Sequence, residues 1–256
     1  MRSLHNVKWI AFAFWLAYAS SVIGELPDTI QRIKPSVVAV GVFRQTANPQ
    51  FAFRGTGFVV ASGNLVATNA HVIPESIDAD GMTTLMIRAA VPPAPPQFRA
   101  AKLVAMDREH DLALLRIADT PLPALTIRAT DVFKEGQIIA FTGFPIAGAL
   151  GFSPVTHRGL IAAITPIVLP SATGQQLSEK SIRRIRGGSF DILQLDATAY
   201  PGSSGSPVYD PESGEVVGII NMVMVKSTKE NILSQPSGIA YAIPATYLRD
   251  LLRSIN

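Results

Sequence analysis

The sequence predicts an all-β protein, a sandwich or barrel built from two groups of strands and closed by a terminal helix. Three observations predict it. About a dozen short β-rich runs recur at roughly 8–12-residue spacing, bounded by turn residues. A Pro-rich link near 118–123 divides them into two groups of about six. The chain closes on PATYLRDLLRSI, where Pro244 opens a helix that carries Leu248, Leu251 and Leu252 on one face.

In chain order, LPDTIQRIKPS reads as a short helix with Pro27 near its start and Pro35 closing it. The first strand group is expected at 36–43, 53–60, 64–69, 83–89, 100–106 and 112–117, and the second at 136–144, 157–169, 191–197, 206–210, 215–225 and 238–244. VPPAPPQ (91–97) is expected on a surface loop, because proline removes ladder donors. The domain division that follows is 25–122 and 123–256. No repeat, heptad or low-complexity tail stands out.

The 256 residues are enough for a sizeable core, and 48% hydrophobic against 16% charged residues is a globular composition. MRSLHNVKWIAFAFWLAYASSVIG places two cations before an uncharged apolar stretch and then small residues, the layout of a secretory signal peptide over 1–24, with cleavage expected near Ala19 or Gly24. The alternative is a retained anchor; a helix from Trp9 to Gly24 would span about 24 Å against roughly 30 Å of hydrocarbon. Removing Arg2 and Lys8 lowers the formal charge from +3 to +1, too little to argue for nucleic acid or acidic lipid as a partner. The absence of cysteine excludes thiol catalysis and thiolate-bound zinc. No cofactor or metal is expected. An exported, periplasmic or secreted protein with no membrane span in its mature form fits these features.

The segment AYPGSSGSPVYD (199–210) is the most informative. A serine flanked by glycines suits a tight loop that aims several backbone N–H groups at one point. Acyl transfer needs that arrangement, a hydroxyl nucleophile beside donors for the developing oxyanion. The plainer alternative is a Ser/Gly hairpin turn. A serine nucleophile needs a base, and outside the leader the chain offers His71, His110 and His157. His71 lies in TNAHV, after a strand pair. Asp111, in EHDLALLRI, directly precedes an alternating apolar strand. His110 is expected to point to the opposite face, at the surface, and His157 has no evident chemical role.

Taken together and in order, TNAHV, HDLALLRI and PGSSGSPV resemble the trypsin-fold serine proteases, specifically the HtrA/Deg branch, from about Ile30 to Leu252. The resemblance implies two six-stranded chymotrypsin/trypsin-like β-barrels with a C-terminal helix. It implies a serine endopeptidase with His71 as general base, Asp111 as its orienting partner and Ser204 as nucleophile. The oxyanion donors would be the N–H groups of Gly202 and Ser204, helped by Ser203. GTGF (Gly55 to Phe58) matches the family strand before the histidine, with packing as its expected role. Two positions depart from the family pattern: Ser203 replaces an asparagine, and Ser206 replaces a glycine. If the latter position needs a positive φ, its Cβ would strain the loop.

By the same resemblance, the specificity pocket would be walled by Thr198 and by Ile220, Asn221 and Met222, with Ile239 and Ala240 nearby. Unless Asp196 turns inward, no acid stands there to anchor Arg or Lys. Cleavage after small or medium apolar residues is therefore expected, on extended or unfolded polypeptides bound as an added β-strand. PDZ modules are common in the branch, and the chain stops just past the helix that would lead to one. Trimers are common there too, so a homo-oligomer is open. The basic stretch SEKSIRRIRGG (178–188) is expected to be a solvated loop, or alternatively a mobile activation loop. The rivals to an enzyme are a non-catalytic protease-fold binding protein and a holdase chaperone.

Overall fold

The computed structural model describes residues 25–75, 83–90, 95–118, 120–147, 151–166, 190–221 and 238–255. The expected signal segment, Met222 and the basic stretch 178–188 lie outside them.

A short helix, α1 (Leu26–Ile33), leads into β1 (Val37–Arg44), β2 (Phe51–Val60), β3 (Leu65–Asn69), β4 (Thr83–Ala89), β5 (Gln97–Asp107) and β6 (Leu112–Ile117). The second set is β7 (Ile138–Gly143), β8 (Val155–Pro166), β9 (Asp191–Asp196), β10 (Pro207–Tyr209), β11 (Val216–Ile220) and β12 (Ile239–Pro244), followed by helix α2 (Ala245–Arg253). The strands close into two antiparallel barrels, in the orders β1-β2-β3-β6-β5-β4 and β10-β11-β12-β9-β8-β7.

Side chains alternate across a strand, and here both faces of the central strands are covered. In β1, Val38 and Val40 fill the first barrel, while Val37 and Ala39 face the second. In β6, Ala113 and Leu115 point inward, and Leu112 and Leu114 outward. This double burial explains why VVAV and LALL read as continuous apolar runs. The outward set meets Ala140, Tyr209, Val216, Ile219 and Ile243 of the second barrel in one shared core. Leu248 of α2 enters the same core and is fully buried. Each such buried aliphatic or aromatic side chain contributes about 1.5–3 kcal/mol, so the inter-barrel contact is a packed core that holds the two halves of a cleft in register.

The link between the barrels is pinned to both. Leu122 and Leu125 donate to the carbonyls of Gly63 and Val59, at 2.9 Å each, and Arg128 donates to that of Val216 at 2.9 Å. Arg249 of α2 then clamps Asp131 and the Arg128 carbonyl. That ion pair and a hydrogen bond from Thr246 hold the Asp131 carboxyl below its ordinary range. Two strands start earlier than the sequence suggests. β2 begins at Phe51, and β5 at Gln97, where Ala89 and Arg88 supply ladder partners to Gln97 and Phe98.

Candidate active site

An imidazole and a carboxylate meet at one end of the first barrel. β3 ends at Asn69 and passes into a single 3₁₀ turn, Ala70–Val72, that carries His71. Asn69 pairs with Leu112, so Asp111, one residue before β6, stands against that turn. His71 Nδ1 lies 2.6 Å from Asp111 Oδ2, and the His71 backbone N–H donates to Asp111 Oδ1 at 2.8 Å. A carboxylate only accepts, so facing it the neutral ring carries its proton on Nδ1 and its lone pair on Nε2.

Asp111 has φ 54, a left-handed conformation that costs a residue with a Cβ about 1–2 kcal/mol. Hydrogen bonds to its carbonyl and to both carboxylate oxygens offset that cost. Its carbonyl accepts from the Ala70 N–H at 3.0 Å and from Asn69 Nδ2 at 3.1 Å. Asn221 Nδ2 donates to Oδ2 at 2.9 Å from the end of β11, so the carboxylate is gripped from both barrels. The sequence placed Asn221 in a pocket wall; the residue is 1% exposed and its amide is committed to Asp111.

Ser204 lies between β9 and β10, 6% exposed. The preceding turn closes through the Ser203 N–H to the Tyr200 carbonyl at 2.9 Å. Pro201 stands second and Gly202 third, with φ 100, the pattern of a type II turn. The Pro201 carbonyl accepts the Ile146 N–H at 2.8 Å. A trans peptide sets its N–H opposite its C=O, so the Gly202 N–H points away from Ile146. Neither it nor the Ser204 N–H donates to a carbonyl among the described residues. Ser203, expected as a third donor, uses its N–H to close the turn and is removed from that role.

Thr56, within the GTGF segment assigned to packing, ties this turn to the first barrel. Its Oγ1 donates to the Gly202 carbonyl at 2.7 Å and accepts the Phe144 N–H at 3.0 Å. Its backbone N–H donates to the Ser204 carbonyl at 2.8 Å. A hydroxyl between two glycines, ahead of the apolar run Phe58–Val60, was the available signal. Gly55 is the point of convergence: a Cβ there would stand 2.8 Å from Val72 Cγ2 and 3.1 Å from the Ser204 carbonyl oxygen. The serine loop and the histidine turn thus meet across one glycine. Among the described residues, the Ser204 hydroxyl makes no hydrogen bond to the imidazole, a looseness common before substrate binds.

The strain feared at Ser206 is absent, since the positive φ falls at Gly205 (φ 85). A Cβ at Gly205 would sit 2.0 Å from the Thr56 carbonyl oxygen, so that position excludes any side chain. Ser206 is accommodated by Gly143, whose absent Cβ would fall 2.0 Å from the serine Oγ.

Other expectations fare differently. Thr198 is half-buried, Ile220 is fully buried among second-barrel core residues, and Ile239 is 45% exposed. Asp196 is exposed in β9 and does not turn inward. His110 is not a free surface residue. Its Nδ1 lies 2.6 Å from Asp107 Oδ2, and its ring stacks on Tyr247 at 3.9 Å. His157 stacks on Phe141 at 5.0 Å with Nε2 buried and unpartnered, and burial holds it below the ordinary histidine value. No described helix is long and apolar enough to cross a membrane.

Comparison with known proteins fits this geometry. A family model described as a trypsin-like peptidase domain matches residues 55–219. The chain is 28% identical to serine protease HTRA1B of Danio rerio over 89% of its own length and 40% of that protein. It is 31% identical to a probable periplasmic serine endoprotease, DegP-like, of a Marinomonas species, over 79% of its length and 36% of that protein. It thus spans well under half of these curated relatives. Its fold is similar to the crystal structure of Deg5 (TM-score 0.62, 22% identity, 88% of this chain and 90% of that one). It is also similar to the active form of the Rv3671c protease from M. tuberculosis (TM-score 0.64, 21% identity, 89% and 84%).

Proposed function

We propose, from the premise that this chain belongs to the trypsin-like peptidase family, that it is an exported serine endopeptidase with His71, Asp111 and Ser204 as its catalytic residues. The observation that carries the reading is the His71–Asp111 contact at 2.6 Å, which leaves Nε2 free to face a turn where the Gly202 and Ser204 N–H groups donate to no described carbonyl.

Ser204 Oγ attacks the scissile carbonyl as His71 Nε2 takes its proton. Asp111 holds the ring in that tautomer and stabilises the imidazolium, as in the general Ser-His-Asp scheme. The N–H groups of Gly202 and Ser204 meet the oxyanion. Collapse of the tetrahedral adduct breaks the C–N bond, with the imidazolium returning its proton to the leaving amine. Water, deprotonated by the same imidazole, then releases the acyl group.

Substrate is bound as an extended strand beside the end of β11, so unfolded segments are cut first. With Asp196 exposed, no described acid serves a basic residue before the scissile bond, which favours small or medium apolar residues there. The leader-like N-terminus and the periplasmic designation of the DegP-like relative support export.

The test is digestion of an unfolded polypeptide, with the new termini mapped by mass spectrometry. Cleavage after small apolar residues, lost in Ser204→Ala, is expected. Cutting after Arg or Lys overturns the pocket assignment, and no cutting at all overturns the peptidase.

A further inference from the structure

We infer that Arg54 makes this protein prefer substrates with an acidic side chain on the leaving-group side, at the first or second residue after the scissile bond. The inference rests on the peptidase reading above.

Arg54 occupies an unusual place in β2. Val40 pairs with Gly55 and Gly41 with Phe53, so Arg54 is the extra residue of a β-bulge. A bulge turns its residue out of the ladder and re-aims the side chain. Here the side chain reaches across to the histidine turn, where Nε donates to the Val72 carbonyl at 2.6 Å. The guanidinium is thereby anchored one residue from His71. Its remaining N–H groups bond to no described residue, and no described acid pairs with it. Arg54 itself is exposed.

Its neighbours fix which half of the substrate it meets. A Cβ at Gly202 would lie 2.9 Å from the Phe53 ring, and one at Gly55 would touch Val72 and the Ser204 carbonyl. The start of β2 therefore borders the nucleophile loop from the first-barrel side. The acyl half of the substrate runs along the end of β11, in the second barrel. The amine half must leave past His71, which protonates it, over Phe53 and Arg54. A planar fork with one N–H fixed and the others open suits a carboxylate, which accepts two parallel hydrogen bonds.

Quenched-fluorescence peptides that differ only in Asp, Asn or Lys at those two positions test the idea. The wild type is expected to cleave the Asp peptides with kcat/KM about 3- to 10-fold above the Asn peptides. That ratio shrinks as NaCl rises from about 20 mM to about 500 mM. Arg54→Gln should bring the ratio to about 1 while the Asn-peptide rate stays within about 3-fold, and Arg54→Glu should favour Lys. A merely structural arginine, buttressing the Val72 carbonyl, would lower all peptides equally in Arg54→Gln, and that result overturns the inference. So does a wild-type ratio near 1. Failure to cleave any peptide overturns the peptidase reading and this inference with it.

Discussion

Two turns carry the chemistry proposed above, and they reach left-handed backbone by opposite means. At Asp111 a residue with a full side chain is held at φ 54 by hydrogen bonds from Asn69, Ala70, His71 and Asn221. At Gly202 and Gly205 the strain is removed by omitting the side chain, and the Phe53 ring and the Thr56 carbonyl fill the space a Cβ would need. The acid can thus be altered chemically while its polar frame remains, whereas the Ser204 loop is shaped by packing and by one hydroxyl from the other barrel. Substitutions at the two turns should separate accordingly.

The largest effect is expected at Asp111→Asn. The amide keeps the size of the acid, but its NH₂ can donate to Nδ1 and so favour the wrong imidazole tautomer. We expect kcat to fall about 10⁴-fold with folding retained, read by peptide hydrolysis alongside circular dichroism. Loss confined to KM would contradict the role given to this turn.

Thr56→Val should have an intermediate effect. It leaves the Gly202 carbonyl and the Phe144 N–H without the hydroxyl that joins them. We expect a loss of about 1–3 kcal/mol in stability and about 10- to 100-fold in kcat, read by urea melts and initial rates. An unchanged kcat would show that packing alone holds the oxyanion turn.

The smallest effect is expected away from both turns, at His157. Burial lowers its pKa below the ordinary 6.5, so the folded state takes up this proton less readily than the unfolded chain. Its contribution is complete above about pH 6.5 and is lost as pH falls from there through the folded pKa. His157→Phe, which keeps a ring against Phe141, should flatten the decline in urea midpoint between about pH 7 and 5. Asp131 and Asp210 are held low by their hydrogen-bond partners, in Asp210 against the opposing effect of burial. Their stabilisation disappears only in the carboxylate range, at lower pH. An identical pH slope in wild type and His157→Phe would remove His157 from the account.

The architecture was legible because strand patterning is local. Alternation, turn residues and the Pro-rich link marked the β-runs without knowledge of partners, and the trypsin-like motifs supplied closure into barrels. Asp111 and His71 stood out through the residues around them. Thr56 did not, because its acceptor at Gly202 lies 146 residues away and nothing nearby in the sequence records that contact. The bulge at Arg54 was invisible for a related reason, since it exists only in the pairing with β1. His110 was assigned to the surface by extending strand alternation one residue too far. The chain there is a turn, with Asp107 Oδ1 accepting the Glu109 and His110 N–H groups, so the alternation does not apply.

The central claim is that Ser204 is an activated nucleophile, and a serine-reactive fluorophosphonate probe addresses it most directly. Intact-mass analysis should find one probe per wild-type chain, attached at Ser204, with no labelling of Ser204→Ala and strongly slowed labelling of His71→Ala. A folded wild-type protein that stays unlabelled, or carries the probe at another serine, would contradict the account.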